Sequence, residues 1–194
     1  MQFELVTKNN IHNFEKGEHP FHPAFEYLSA VHKADYLRTY FMHFYGGGYA
    51  DIKEYSNSWK ASFNLLNLSN KICIGYPENR EKDIGYVKDF VRIGSGIKIN
   101  KKMRTCYKEL IGNCAYIFKP KTIFTKIWLN ECERRLDLVM PALKKNPGKI
   151  YGDNLGYPVP WTAILGQIFH PLCFIFRKLI IQNSDLRPFC QDYR

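Results

Sequence analysis

The residues best suited to chemistry lie in one stretch, KADYLRTYFMHFYGGGYADIK, from Lys33 to Lys53. Asp35 and Arg38 stand three apart, so on a helix they share a face. Gly46, Gly47 and Gly48 follow, then Tyr49 and Asp51 on a short extended segment. A guanidinium fork suits oxyanions, a carboxylate suits a hard cation, and consecutive glycines allow close backbone approach by a ligand. Each feature alone has an ordinary explanation: an intrahelical ion pair, a helix stop, a surface turn. Their order is what gives them weight, because a helix running into a strand that ends in a carboxylate places that acid at a sheet edge, where open α/β folds bind nucleotides.

The same stretch resembles the pattern K/S-x-D-x-x-R followed, after a short gap, by G-G-x-Y-x-D-x-D, found in the DXD-containing sugar transferases of GT-A fold. Two later segments, GNCAYIFKP at 112 to 120 and YPVPWTAILGQIFHP at 157 to 171, look similar to the small viral and microbial polysaccharide-synthesis members. The resemblance covers most of the chain from Lys33 on. It implies a GT-A-like (Rossmann-like) fold and a hexosyltransferase that takes a UDP- or GDP-linked sugar donor and a glycan acceptor. It also implies roles. Asp35, Arg38, Gly47, Gly48, Tyr49, Asp51, Asn113 and Trp161 would bind the donor, Asp51 would contact ribose and a divalent metal, and His170 would return to the metal or diphosphate.

A nucleoside diphosphate leaves readily only when its charge is neutralised. Mn²⁺ or Mg²⁺ held by carboxylates does this as a Lewis acid. Lys53 departs from the pattern, since it stands where a second acid would be usual and an ammonium cannot ligate a metal. Side chains alternate along a strand, so Asp51 and Lys53 share a face. Three arrangements follow. Asp51 holds the ion with waters and diphosphate, Lys53 supplies part of the ion's charge, or Lys53 lies outside the site. The first is the expectation, because Mg²⁺ commonly keeps several waters.

Glu78 and Asp153 are candidate catalytic bases if the reaction inverts configuration, although each also reads as a surface acid. Trp161 serves equally well as a stacking platform for a sugar or as a core residue. His19, His22, His32 and His43 lack ligand spacing and read as surface or satisfied core histidines.

The elements that must position these residues follow from periodicity and punctuation. Strands are expected at Phe3–Val6, Tyr49–Ile52, Ile72–Tyr76, Asn113–Phe118 and Leu172–Ile181. Helices are expected from Phe25 to Gly46, around Trp59 to Leu66, from Thr122 to Leu143 with Pro141 bending or shortening it, and from Trp161 to Phe169. Gly94 to Gly96 reads as a turn. Alternating strands and helices favour an α/β sheet with mostly parallel strands, twisted and flanked by helices. One domain spanning residues 1–194 is expected, with the family's first nucleotide-binding strand missing or shortened.

Composition sets the outer limits. The chain has 194 residues, of which 45% are hydrophobic and 24% charged, which fits a globular protein. The net charge of +10 fits an anionic partner. The basic residues are scattered, however, so nucleic acid is the least favoured partner. Six cysteines without paired spacing read as reduced thiols of a cytoplasmic protein. The longest apolar stretch, Leu172 to Ile181, is too short to span a membrane and is broken by Arg177 and Lys178. A non-catalytic domain of this lineage that binds glycan or nucleotide is the alternative to the enzyme, and a basic nucleic-acid-binding protein comes third.

Overall fold

A computed structural model describes residues 5–87, 96–151 and 154–189. Helix α1, Ala30–Phe44, begins where the Ser29 hydroxyl accepts from the His32 N–H. It ends at Tyr45 and Gly46, whose φ of 65° is the left-handed conformation glycine accepts at a helix end. The Gly46 N–H closes the last turn onto the Phe41 carbonyl at 3.0 Å. Pro23 opens a separate 3-10 turn, Pro23–Tyr27, so the expected helix from Phe25 is split just before Ser29.

The chain then enters strand β1, Gly47–Ala50, and helix α2, Lys60–Asn67. Strand β2 is Cys73–Pro77, helix α3 Gly96–Thr105 and strand β3 Ile111–Phe118. Helix α4, Ile123–Lys145, is capped by the Thr122 side chain and runs past Pro141 without being cut short. Helix α5, Gly166–Phe176, and the short strand β4, Ile180–Gln182, complete the fold.

The sheet order is β1-β3-β2-β4. Strand β3 pairs antiparallel with both β1 and β2, and only β2–β4 is parallel. The expected mostly parallel sheet is therefore corrected to a mixed one within a single α/β domain. Strand β3 enters between β1 and β2 and runs against both, a direction that alternation of elements along a chain does not encode. Other expectations also change: the helix expected from Trp161 begins only at Gly166, and the strand expected at Tyr49–Ile52 runs from Gly47 to Ala50. Leu5 and Val6 are irregular and exposed rather than a strand, while Phe3 lies outside the described residues. Residues 172 to 176 are helical, and only 180 to 182 form a strand. The turn expected at Gly94 falls outside the described residues.

Helices α1, α4 and α5 cover one face of the sheet. Helix α4 presents Phe124, Trp128, Cys132, Leu136, Val139 and Leu143, three or four residues apart, as one buried seam. Trp128 and Phe169 meet at 5.0 Å, and Phe169 stacks on Tyr116 of β3 at 5.3 Å. A smaller cluster on the opposite face joins Leu66 of α2 to Ile74, Ala115 and Ile117.

Register aligns the strand ends. Ala50 lies opposite Ala115, and Pro77 lies opposite Ile111. The C-terminal ends of β1 and β2 thus share an edge with the N-terminal end of β3. Asp51, Glu78 and Asn113 all sit along that edge.

Candidate functional site

Arg38 is the hub of the edge. Its Nη2 lies 3.1 Å from Asp35 Oδ1, and the two side chains are only 10% and 3% exposed. Its Nη1 donates to the Asn113 carbonyl at 3.2 Å. The guanidinium lies 4.1 Å from the centre of the Tyr49 ring, a cation–π distance. Tyr49 faces its cross-strand partner Tyr116 in a stacked pair, 5.4 Å apart at 25°.

The Tyr49 hydroxyl donates to Asp51 Oδ1 at 2.8 Å. Lys53 Nζ donates to Asp51 Oδ2, also at 2.8 Å, and lies 3.2 Å from Cys114 Sγ. The Asp51 N–H continues the ladder beyond β1 by bonding the Cys114 carbonyl at 2.8 Å. Asp35, Arg38, Tyr49, Asp51 and Asn113, singled out from sequence, therefore form one contact network. Lys53 is part of it.

The two carboxylates differ. Burial pushes Asp35 up to about 6 even with Arg38 beside it, and the nearby charge of Asp51 adds to the rise. Burial also acts on Asp51, but hydrogen bonds from Lys53, Tyr49 and Cys114 together hold it below the ordinary carboxylate range. Lys53 loses solvation, yet its bonds to Asp51 and Cys114 keep it more firmly protonated than a free lysine. Three buried polar atoms around the hub find no hydrogen-bond partner among the described residues: Arg38 Nε, Asn113 Oδ1 and the Tyr116 hydroxyl. Arg38 and the Tyr116 hydroxyl also interact with each other, which lowers the cost of burying both.

Other expected site residues stand elsewhere. Gly47 begins β1 at the end opposite Asp51, roughly 13 Å away at about 3.3 Å per residue. At Gly48 an added Cβ would fall 3.1 Å from the Trp59 ring, so that glycine serves packing against α2. Trp161 is 72% exposed, beside a cavity of about 300 Å³ shared with His32, Lys149, Asn154 and Tyr157. His170 is fully buried on α5. Its Nδ1 accepts from the Gly85 N–H at 2.7 Å, and its Nε2 faces Glu78 Oε1 at 3.6 Å. Glu78 and His170 thus meet each other, and neither bonds Asp51. Asp153 lies outside the described residues.

The remaining histidines are satisfied structurally. His19 bonds Glu133 at 2.9 Å, His22 bonds Asp137 at 3.0 Å, and buried His32 faces the Ser29 hydroxyl at 3.1 Å. Sequence reasoning missed Cys114 and Tyr116 as members of the network. Only the β1–β3 register brings them in, and no local pattern signals it.

The donor set does not fit a divalent ion held between Asp51 and a second protein ligand. Both Asp51 oxygens already accept hydrogen bonds, one of them from an ammonium. A divalent ion about 4 Å from that ammonium would meet repulsion of about 8 kcal/mol at an effective dielectric constant near 20. Among the described residues, no group of three or more His, Cys, Asp or Glu side chains is placed to hold a metal. Among the described residues five cysteines are free thiols, and three of them, Cys73, Cys132 and Cys173, are buried. Among the described residues no helix is long and apolar enough to cross a membrane. No family model matches the chain, and no curated protein or solved structure matches it either.

Proposed function

We propose that the chain binds a nucleoside-diphosphate sugar, UDP- or GDP-linked, at the edge formed by β1 and β3. It transfers the sugar to a glycan acceptor as a GT-A-like glycosyltransferase. One observation carries this reading: residues from Asp35 to Asn113, far apart in sequence, converge on Arg38 in a single polar network. In this reading Arg38, held by Asp35 and the Asn113 carbonyl, lends its positive charge and its remaining N–H donors to the diphosphate oxygens. Tyr49 offers a ring edge to the nucleoside, and Asp35 fixes the guanidinium from behind. The cationic groups offset the charge that grows on the departing diphosphate.

The experiment is donor hydrolysis and transfer across a panel of UDP- and GDP-sugars. Tyr49→Phe removes only the hydroxyl on Asp51 and leaves the packing, while Asp51→Asn keeps the shape and removes the charge. Arg38→Ala tests the hub, with circular dichroism as the control for folding. Turnover should fall about tenfold or more in Arg38→Ala and Asp51→Asn, as loss of a charge-assisted hydrogen bond implies. Unchanged turnover in both, with the fold retained, would reject this site.

The engagement of both Asp51 oxygens by Lys53 and Tyr49 also favours a second reading, a donor-binding domain without turnover. Saturating ligand binding with no hydrolysis or transfer across the same panel would select it.

A further inference from the structure

We infer that Lys53 takes the electrostatic place of a divalent cation, so that this edge binds a nucleoside diphosphate without metal. The inference rests on the donor-site reading above and concerns what neutralises the ligand. The contact between Lys53 and Asp51 is not incidental. Nζ sits 2.8 Å from Asp51 Oδ2, on a side chain only 8% exposed, and Cys114 Sγ holds the same nitrogen at 3.2 Å. A flexible surface lysine has no such fixed position.

Charge counting makes the replacement exact in kind. Two carboxylates with a divalent ion sum to zero. Asp51 with the Lys53 ammonium also sums to zero. The ammonium removes the repulsion that a bare Asp51 would exert on a diphosphate, and it leaves the guanidinium of Arg38 to meet the oxyanion. Adding a divalent ion would place two cationic centres on one carboxylate, and repulsion from the ammonium would offset much of the ion's attraction to Asp51.

Isothermal titration of UDP and GDP into the full chain tests this, first in excess chelator and then with Mn²⁺. The wild-type affinity should be the same in both within about threefold. Lys53→Met keeps the stem and removes the charge, and should weaken binding about tenfold or more in chelator, the scale of a lost charge-assisted hydrogen bond. Lys53→Arg should retain most of the affinity. Lys53→Asp should bind weakly in chelator and regain affinity when Mn²⁺ is added. Electron paramagnetic resonance should then show Mn²⁺ bound to Lys53→Asp and free in the presence of wild type.

Wild-type binding that strengthens tenfold or more with Mn²⁺ would overturn the inference while leaving the donor site standing. So would Lys53→Met binding as tightly as wild type in chelator. Absence of UDP and GDP binding under both conditions would overturn the donor site itself, and this inference with it.

Discussion

Asp35 and Asp51 are both held by cations, yet their surroundings push them in opposite directions. Asp35 is 2% exposed, and burial dominates its environment. Its carboxyl sits at about 6, above the ordinary value of 3.8. Between those values the native state binds more protons than the unfolded chain, so this group's contribution to stability is full below pH 4 and is lost as pH rises through 6. The rise from 3.8 to about 6 corresponds to roughly 3 kcal/mol. Asp35→Asn should therefore flatten the stability profile between pH 4 and 6. Urea melts of wild type and variant across that range check it, and an unchanged slope would show that Asp35 titrates normally. The Asp35–Arg38 pairing was legible in sequence, because three residues apart on a helix is a contact. The Asp51–Lys53 contact was expected from a shared strand face, but β1 ends at Ala50 and Lys53 reaches Asp51 from the bend that follows the strand. Cys114 and Tyr116 were not, because their place in the network depends on strand register.

The junction between α1 and β1 sets the geometry of the site, and Gly46 is its pivot. Gly46 adopts a φ of 65°, and an added Cβ would stand 2.7 Å from Pro120 and 2.8 Å from the Phe118 carbonyl. Gly46→Ala should destabilise the protein by about 1–3 kcal/mol from backbone strain alone, measured by thermal or urea unfolding. A neutral substitution would mean that the chain reverses there by another route. Glycine and threonine punctuation made two boundaries readable, the Thr122 cap and the Gly46 stop, whereas the Ser29 cap falls inside the helix expected from Phe25. Residues 172–176, expected as strand, were not readable in the same way. Gly166 to Cys173 are all buried, so no polar face reveals a helical period, and an apolar run of that length reads equally as strand. Pro171 and Pro141 both lie inside helices, against the usual meaning of proline.

Across the whole molecule, the proposed donor should act as a stabilising ligand. A nucleoside diphosphate that binds only the native state should add about 2.7 kcal/mol at a hundred times its dissociation constant. For a chain of this size that is a rise of roughly 5–10 °C in Tm. A thermal-shift screen of nucleoside diphosphates and nucleotide-sugars reads it, and no shift with any of them would count against a donor site. Charge and composition set the scale of this domain, but the topology came from elsewhere. The sequence alone determined that helices and strands alternate, that α1 ends at Gly46, and that Asp35, Arg38, Tyr49 and Asp51 follow one another in register with local geometry. Those features depend on contacts within a few residues and on the conformational limits of glycine and capping side chains. Tertiary structure decided that β3 enters antiparallel between β1 and β2, that His170 pairs with Glu78 rather than Asp51, and that Cys114 holds Lys53 against the acid. Each of these joins residues distant in the chain, and which distant segments meet is settled by how the buried faces of the helices and the sheet fit together as a whole.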